Sequence, residues 1–275
     1  MSVFRTNSTA LITGGASGIG LAVAQLCLKQ GMRVAVADFN STTLGLAKKT
    51  LDGGDNAKFY NVDVSKEEDW KGLREKVGDV DFLMLNAGVG TKGTWGDAEY
   101  MMKIFNTNLF GVTNGLNTYV PSFLARRSTT PSAIVITGSK QGITNPPGNA
   151  AYNASKAAVK SLAEHLSFDL KDTNTSVHLL VPGWTFTGLS GNTPGSNTTK
   201  PNGAWHASQV VDYMYQKMQD GKFYIICPDD DVSEATDKKR MLWTVGDVVE
   251  GRQPLSRWRE EYKSEAEKWM KEKQV

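Results

Sequence analysis

The 275-residue chain predicts an α/β fold, a doubly wound parallel sheet of about seven strands flanked by helices, followed by a helical carboxyl-terminal extension. Three observations predict it. Short aliphatic and β-branched runs alternate with segments of helical periodicity along most of the chain. These runs are apolar at consecutive positions, the pattern of strands buried on both faces. A glycine-rich turn, Thr13-Gly14-Gly15-Ala16-Ser17-Gly18-Ile19-Gly20, stands between the first run and the first helical segment.

Taken in order, strands are predicted over residues 10–13, 34–37, 59–62, 82–85, 134–137, 177–181 and 223–227. Helical segments fall between them, including 19–30, 99–126, 152–171 and 207–219. A repeated βα unit gives a parallel sheet with helices on both sides. Residues 188–203 are almost wholly Gly, Ser, Asn, Thr and Pro; they cannot bury themselves, and a mobile loop is expected. After Pro228 two more helices are expected. The first opens near Asp231, a cap with Glu234 three residues on. The last carries Trp258, Tyr262, Ala266, Trp269 and Met270 on one face. The expected organisation is one domain over 1–228 and an extension over 229–275 that packs on it or on a partner subunit.

Composition narrows the function. Forty per cent hydrophobic residues suits a globular core. A net charge of +2 forms no basic stripe and seven Trp are scattered, which argues against nucleic acid as a partner. Cys27 and Cys227 are the only cysteines and read as buried thiols in a reducing compartment. The start, Met1-Ser2-Val3-Phe4-Arg5, lacks the apolar stretch of a signal peptide, and no run reaches the ~18 apolar residues of a membrane span. A cytoplasmic location and no membrane partner are expected. His165, His178 and His206 are isolated from Cys, Asp or Glu at ligand spacing, so no metal is expected.

The chemistry-bearing positions point to a redox enzyme. Tyr152 and Lys156, 13 residues after Ser139, share a helix face, where an ammonium favours the ionised phenol. A phenol near pKa ~10 is otherwise a poor base at neutral pH. Glycines 14, 18 and 20 permit a tight turn and close backbone approach to a pyrophosphate, with a helix N-terminus facing the anion. Asp38, 18 residues beyond Gly20 at the end of the second strand, can accept both ribose hydroxyls. Neither Ser17 nor Phe39 offers a positive charge for a 2′-phosphate, so NAD is the expected cofactor. Trp95, Trp184 and Trp205 flank predicted pocket loops as either lining or packing residues.

This ordered pattern resembles the common subfamily of short-chain dehydrogenases/reductases, over roughly residues 8–228. The resemblance rests on the glycine turn, Asp63-Val64, Asn86-Ala87-Gly88, Asn108, Ser139, Tyr152-x-x-x-Lys156 and Pro182-Gly183. It implies a Rossmann-type domain and a catalytic set of Asn108, Ser139, Tyr152 and Lys156. It further implies cofactor contacts from Gly14, Ser17, Gly18, Ile19, Gly20, Asp38, Asp63, Val64, Asn86, Ala87 and Gly88, from Tyr152 and Lys156, and from Pro182, Gly183, Thr185 and Thr187. Thr187 keeps the family pattern; Thr185 stands where an aliphatic β-branched residue is usual. The implied substrate is a fairly hydrophobic secondary alcohol or ketone, and the implied assembly a homodimer or homotetramer through the helices at 99–126 and 152–171. A non-redox isomerase, dehydratase or cyclase on the same fold, or an NADH-sensing binding protein, stays open as an alternative.

Overall fold

In the computed structural model, which describes residues 2–126, 130–192 and 197–275, the strands form where β-branched and aliphatic residues run together. The elements in chain order are β1 (Thr9–Thr13), α1 (Gly18–Lys29), β2 (Arg33–Asp38), α2 (Ser41–Thr50), β3 (Ala57–Asn61), α3 (Glu67–Val77), β4 (Phe82–Leu85), α4 (Ala98–Phe105), α5 (Gly111–Ala125) and β5 (Ser132–Thr137). Then come α6 (Lys140–Thr144), α7 (Ala150–Asp169), β6 (Thr175–Val181), β7 (Thr185–Phe186), β8 (Trp205–His206), α8 (Ala207–Gln219), β9 (Tyr224–Ile226), α9 (Glu234–Val249) and α10 (Lys263–Glu272).

Seven strands make one parallel sheet in the order β3-β2-β1-β4-β5-β6-β9. Side chains alternate across it with the period of two that a strand imposes. Ala10, Ile12, Phe82, Met84 and Val135 face a core with Val23 and Cys27 of α1 and Val210 and Met214 of α8. Leu11, Leu83, Leu85, Ile134 and Ile136 face the opposite core with Trp70 of α3, Tyr119 and Phe123 of α5 and Val159 of α7. Cys27 and Cys227 lie in the first of these cores as free thiols, and burial raises both above the usual thiol range. The chain leaves β1 toward β2 on one side and returns to β4 on the other, so a crevice opens at the carboxyl ends of these strands.

Several expectations are revised. The helix expected over 99–126 is interrupted by a π-helical turn, Asn106–Phe110, between α4 and α5. Burial on both faces fails for β3, an edge strand whose Lys58 and Asn61 are exposed. The cap of α9 is Ser233, whose Oγ accepts the Thr236 N–H at 3.1 Å, not Asp231. Trp258 and Tyr262 lie in 3-10 turns ahead of α10, so the apolar stripe expected of one helix is folded into a corner. The loop expected over 188–203 begins as a 3-10 turn, Gly188–Ser190, and is followed by β8, which pairs with β7; its residues 193–196, like Met1, lie outside the described residues.

The segment after β9 has its own buried centre. The Trp243 indole Nε1 donates to Ser256 Oγ at 2.7 Å, and Ser256 Oγ donates to Asp247 Oδ1 at 2.5 Å. Arg252 pairs with Asp247 at 3.0 Å and lies 4.1 Å over the Trp243 ring, while Trp269 of α10 meets Trp243 edge-on. Trp243→Ala is expected to cost about 3–5 kcal/mol, to be read as a fall in urea midpoint or Tm; an unchanged transition would show that this cluster stabilises nothing.

Candidate active site

The sequence positions singled out above converge on the crevice. A cavity of about 940 Å³ is lined by Gly14, Ser17, Gly18, Ile19, Asp38, Asp63, Val64, Asn86, Ala87 and Gly88. It continues past Ser139, Tyr152, Lys156, Pro182, Gly183, Thr185 and Thr187. Gly20 and Asn108 do not line it. Gly20 lies behind the turn, where a Cβ would collide with Gly14 O. Asn108 is fully buried in the π-helical turn.

One end of the cavity is built from backbone. Gly14 turns at φ +61°, and a Cβ there would stand 2.9 Å from Ala87 Cα. Helix α1 starts after Ser17, whose extended backbone is accompanied by no side-chain cap, so the first N–H groups of α1 are left to a ligand. At the tip of β2, Asp38 Oδ2 accepts the Ala16 N–H at 3.1 Å and Oδ1 accepts the Asn40 N–H at 3.1 Å. No ion pair to Asp38 occurs among the described residues, and the neighbouring Phe39 is 72% exposed. Asp63 Oδ1 takes both the N–H and the hydroxyl of Ser65, at 3.0 and 2.7 Å. The Asn86 amide is already committed: Nδ2 donates to Thr13 O and Gly14 O at 3.2 and 3.3 Å, and Oδ1 accepts the Thr137 hydroxyl at 3.1 Å.

The other end carries the titratable groups. Ser139 leaves β5 as the N-cap of α6, its Oγ accepting the Gln141 N–H at 3.2 Å. Tyr152 and Lys156 sit one turn apart on α7. Lys156 is buried, and its Nζ donates to Thr137 O at 2.8 Å; desolvation lowers its pKa to about 8. Burial raises the Tyr152 phenol, and the Ser139 hydroxyl acts in the lowering direction. The Lys156 ammonium lies 5.9 Å from the Tyr152 ring centroid. The lowering by Lys156 that the sequence spacing suggested is absent in this geometry: burial raises the phenol, and the opposing influence comes from Ser139. Asn108 clamps Val89 at both ends, accepting its N–H at 2.8 Å and donating to its carbonyl at 3.0 Å. Gly88 lies between that clamp and Lys156 Nζ, where a Cβ would stand 3.3 Å from Asn108 Oδ1 and 3.7 Å from Lys156 Nζ.

Thr187 caps the 3-10 turn Gly188–Ser190, and Thr185 Oγ1 donates to Gly183 O at 3.0 Å. Of the three flanking tryptophans only Trp184 lines the cavity; Trp95 is exposed and Trp205 packs edge-on against Tyr213. Sequence reasoning missed Lys103, Asn106 and Thr107 in the lining. Asn106 belongs to the π-helical turn, which no composition signal marks. His178 is held between Lys222 O and Ser176 Oγ, a structural placement.

Comparisons with known proteins agree with this architecture. The family model described as short chain dehydrogenase matches residues 8–197. The chain is 32% identical over 189 residues to 3beta-hydroxysteroid dehydrogenase 2 of Eggerthella lenta, covering 66% of this chain and 72% of that one. It is 30% identical over 188 residues to an NADP-dependent (R)-specific alcohol dehydrogenase of Lentilactobacillus kefiri, covering 66% and 74%. Among solved structures, a short chain dehydrogenase/reductase from Burkholderia phymatum in complex with NAD superposes with a TM-score of 0.79 at 27% identity, covering 92% of this chain and 98% of that one. The parallel sheet, the glycine turn at its switch point and the match across most of the chain together make this protein a member of the short-chain dehydrogenase/reductase family, an oxidoreductase.

Proposed function

We propose that the protein is an NAD-dependent oxidoreductase interconverting a fairly hydrophobic secondary alcohol and its ketone, with Tyr152 as the general acid/base. The observation that carries the reading is Tyr152 on α7 facing Ser139, with Lys156 buried one turn away, in the same cavity that has Asp38 at its far end. A nicotinamide dinucleotide fits the residues present: an uncapped helix N-terminus beside a glycine turn packed too closely on Asn86 and Ala87 for a Cβ at Gly14, and a carboxylate at the tip of β2. When bound it supplies the hydride acceptor or donor.

In this reading the backbone at Gly14, Ser17, Gly18 and Ile19 holds the pyrophosphate, with Gly20 permitting the turn. Asp38 holds the adenosine ribose, and Asp63, Val64, Asn86, Ala87 and Gly88 line the adenosine side. Pro182, Gly183, Thr185 and Thr187 flank the nicotinamide. Ser139 holds the substrate oxygen, and the Tyr152 hydroxyl transfers the proton. Lys156 binds the nicotinamide ribose and brings a positive charge toward Tyr152, while Asn108 orients the Val89 segment. The carboxylate of Asp38, with no cation paired to it among the described residues, supports NAD over NADP even though one relative named above is NADP-dependent. Trp184, Leu189 and Val89 give the substrate end its apolar wall. Met102, Phe110, Leu124 and Phe168, large exposed apolar residues on the helices around α4, α5 and α7, support a homodimer or homotetramer. The two buried free thiols support a cytoplasmic location.

Tyr152→Phe keeps the ring and removes the proton carrier, so turnover of a secondary-alcohol panel with NAD, followed at 340 nm, should fall by at least about 10³-fold while NADH still binds. Substantial residual turnover would refute the mechanism.

Lys156→Met should abolish turnover and yet stabilise the fold. The folded-state pKa of about 8 lies below the usual lysine value of 10.5. Below pH 8 the folded chain therefore carries a buried charge at a cost of up to about 3 kcal/mol. That cost is relieved as pH rises from 8 toward 10.5, because the unfolded chain then binds the extra proton. The variant's Tm advantage over wild type should thus be largest at pH 7 and shrink by pH 9; a variant less stable at pH 7 would contradict the argument.

Asp38→Ala with Phe39→Arg removes a repulsion and adds a phosphate partner, so kcat/KM should shift from NAD toward NADP by about 10²-fold or more. A wild type that already prefers NADP would overturn the role given to Asp38.

A further inference from the structure

The residue after Ser139 is a lysine that the proposed chemistry leaves without a role. Lys140 Nζ lies 2.9 Å from Asp229 Oδ2 and 2.8 Å from Asp237 Oδ2, and the three side chains are 13%, 7% and 0% exposed. Two carboxylates from separate segments, the exit of β9 and the first turn of α9, therefore meet on one largely buried ammonium. Removing one partner of such a group leaves uncompensated charge in the interior, which makes the cluster a geometric constraint whatever its net energy.

What it constrains is the substrate end of the cavity. Asp229 Oδ2 also accepts the Trp184 N–H at 3.2 Å, and Asp229 Oδ1 accepts the N–H groups of Asp231 and Val232 at 3.3 and 2.9 Å. The Lys140 N–H donates to Pro182 O at 3.3 Å. A Cβ on Gly183 would stand 2.5 Å from Asp229 Oδ2 and 2.8 Å from Lys140 Nζ, so the Pro182-Gly183 bend lies directly on the ion cluster. On its other side α6 rests on the catalytic helix: a Cβ on Gly142 would stand 2.7 Å from the Lys156 carbonyl oxygen. Asp237 is in turn paired with Arg240 at 3.2 Å, which carries the connection into α9. Lys140, Gln141, Gly183 and Trp184 all line the cavity; Asp229 and Asp237 stand behind it.

We propose that Lys140 is a positioning residue, through which the carboxyl-terminal extension sets the distance between Ser139 and the Gly183-Trp184 wall of the substrate pocket. The inference rests on the oxidoreductase reading for its kinetic consequence only. Neutralising the ammonium frees α6 and the Gly183-Trp184 segment together, while the pyrophosphate and adenosine contacts at the other end are untouched.

The experiment compares wild type, Lys140→Met, Lys140→Arg and the isosteric Asp237→Asn, with alcohol-panel kinetics, NADH titration by fluorescence and amide hydrogen exchange of the peptide covering 180–190. Lys140→Met should lower kcat/KM for the alcohol by about tenfold or more, keep the NADH Kd within about threefold of wild type, and speed exchange in that peptide. Lys140→Arg should recover much of the loss and Asp237→Asn should fall between. A Lys140→Met protein with wild-type kcat/KM and exchange, or one that only melts earlier, would overturn the proposal. If that variant does not fold, the kinetics and exchange of Asp237→Asn decide in the same way. If wild type turns over no alcohol or ketone with either cofactor, it is the oxidoreductase reading that fails; the exchange comparison still decides the role of Lys140.

Discussion

Everything in the site depends on three strand ends meeting at one side-chain amide. β1, β4 and β5 finish together at the switch point of the sheet, and Asn86 spans them, donating to Thr13 O and Gly14 O and accepting from the Thr137 hydroxyl. The Thr13 hydroxyl answers by accepting the N–H groups of Asn86 and Ala87 at 3.0 and 3.2 Å. These bonds are part-buried and interlocked, and leaving a buried member such as the Thr13 hydroxyl unpaired would cost about 1–3 kcal/mol, so the crevice has little freedom in width. The glycine turn must fit against Asn86 and Ala87, and only residues without a Cβ allow that approach at positions 14 and 20.

From that fixed point the chain after β4 runs to Val89, where Asn108 seizes both backbone groups. The π-helical turn makes the seizure possible: its extra residue per turn rotates Asn108 inward at the junction of α4 and α5. The same neighbourhood confines Lys156, whose ammonium is buried and has Thr137 O as its acceptor. Local stability and chemistry pull in opposite directions there, since a buried cation is a poor choice for a core and a good one for a proton-handling site.

The parallel seven-stranded sheet with helices on both faces and about half of the cavity lining were legible in the sequence, because consecutive apolar runs, a glycine turn and Tyr152-x-x-x-Lys156 are local signals. The π-helical turn was not, since Asn106 to Phe110 has ordinary helical composition and the irregularity is set by the Val89 clamp, a contact across nearly 20 residues. The cap at Ser233 was misplaced by two residues because Asp229 draws the N–H groups of Asp231 and Val232 into its own turn. The stripe of Trp258, Tyr262 and Trp269 was read at helical spacing, but Leu255 adopts φ +59° and the chain bends there, bringing Ser256 under Trp243. The pairing of Lys140 with Asp229 and Asp237 joins positions some 90 residues apart, and no spacing rule reaches that far.

Both cysteines lie on one side of the sheet, at α1 and beyond β9, with their thiols closed off from solvent and held in the protonated form. The folded surface therefore presents no native nucleophilic sulfur to maleimides or disulfide reagents. A single cysteine introduced at an exposed position becomes the one attachment point for a fluorophore or spin label, without prior removal of the native pair. Conversely, slow alkylation of Cys27 and Cys227 in the unaltered chain measures how often that half of the core opens.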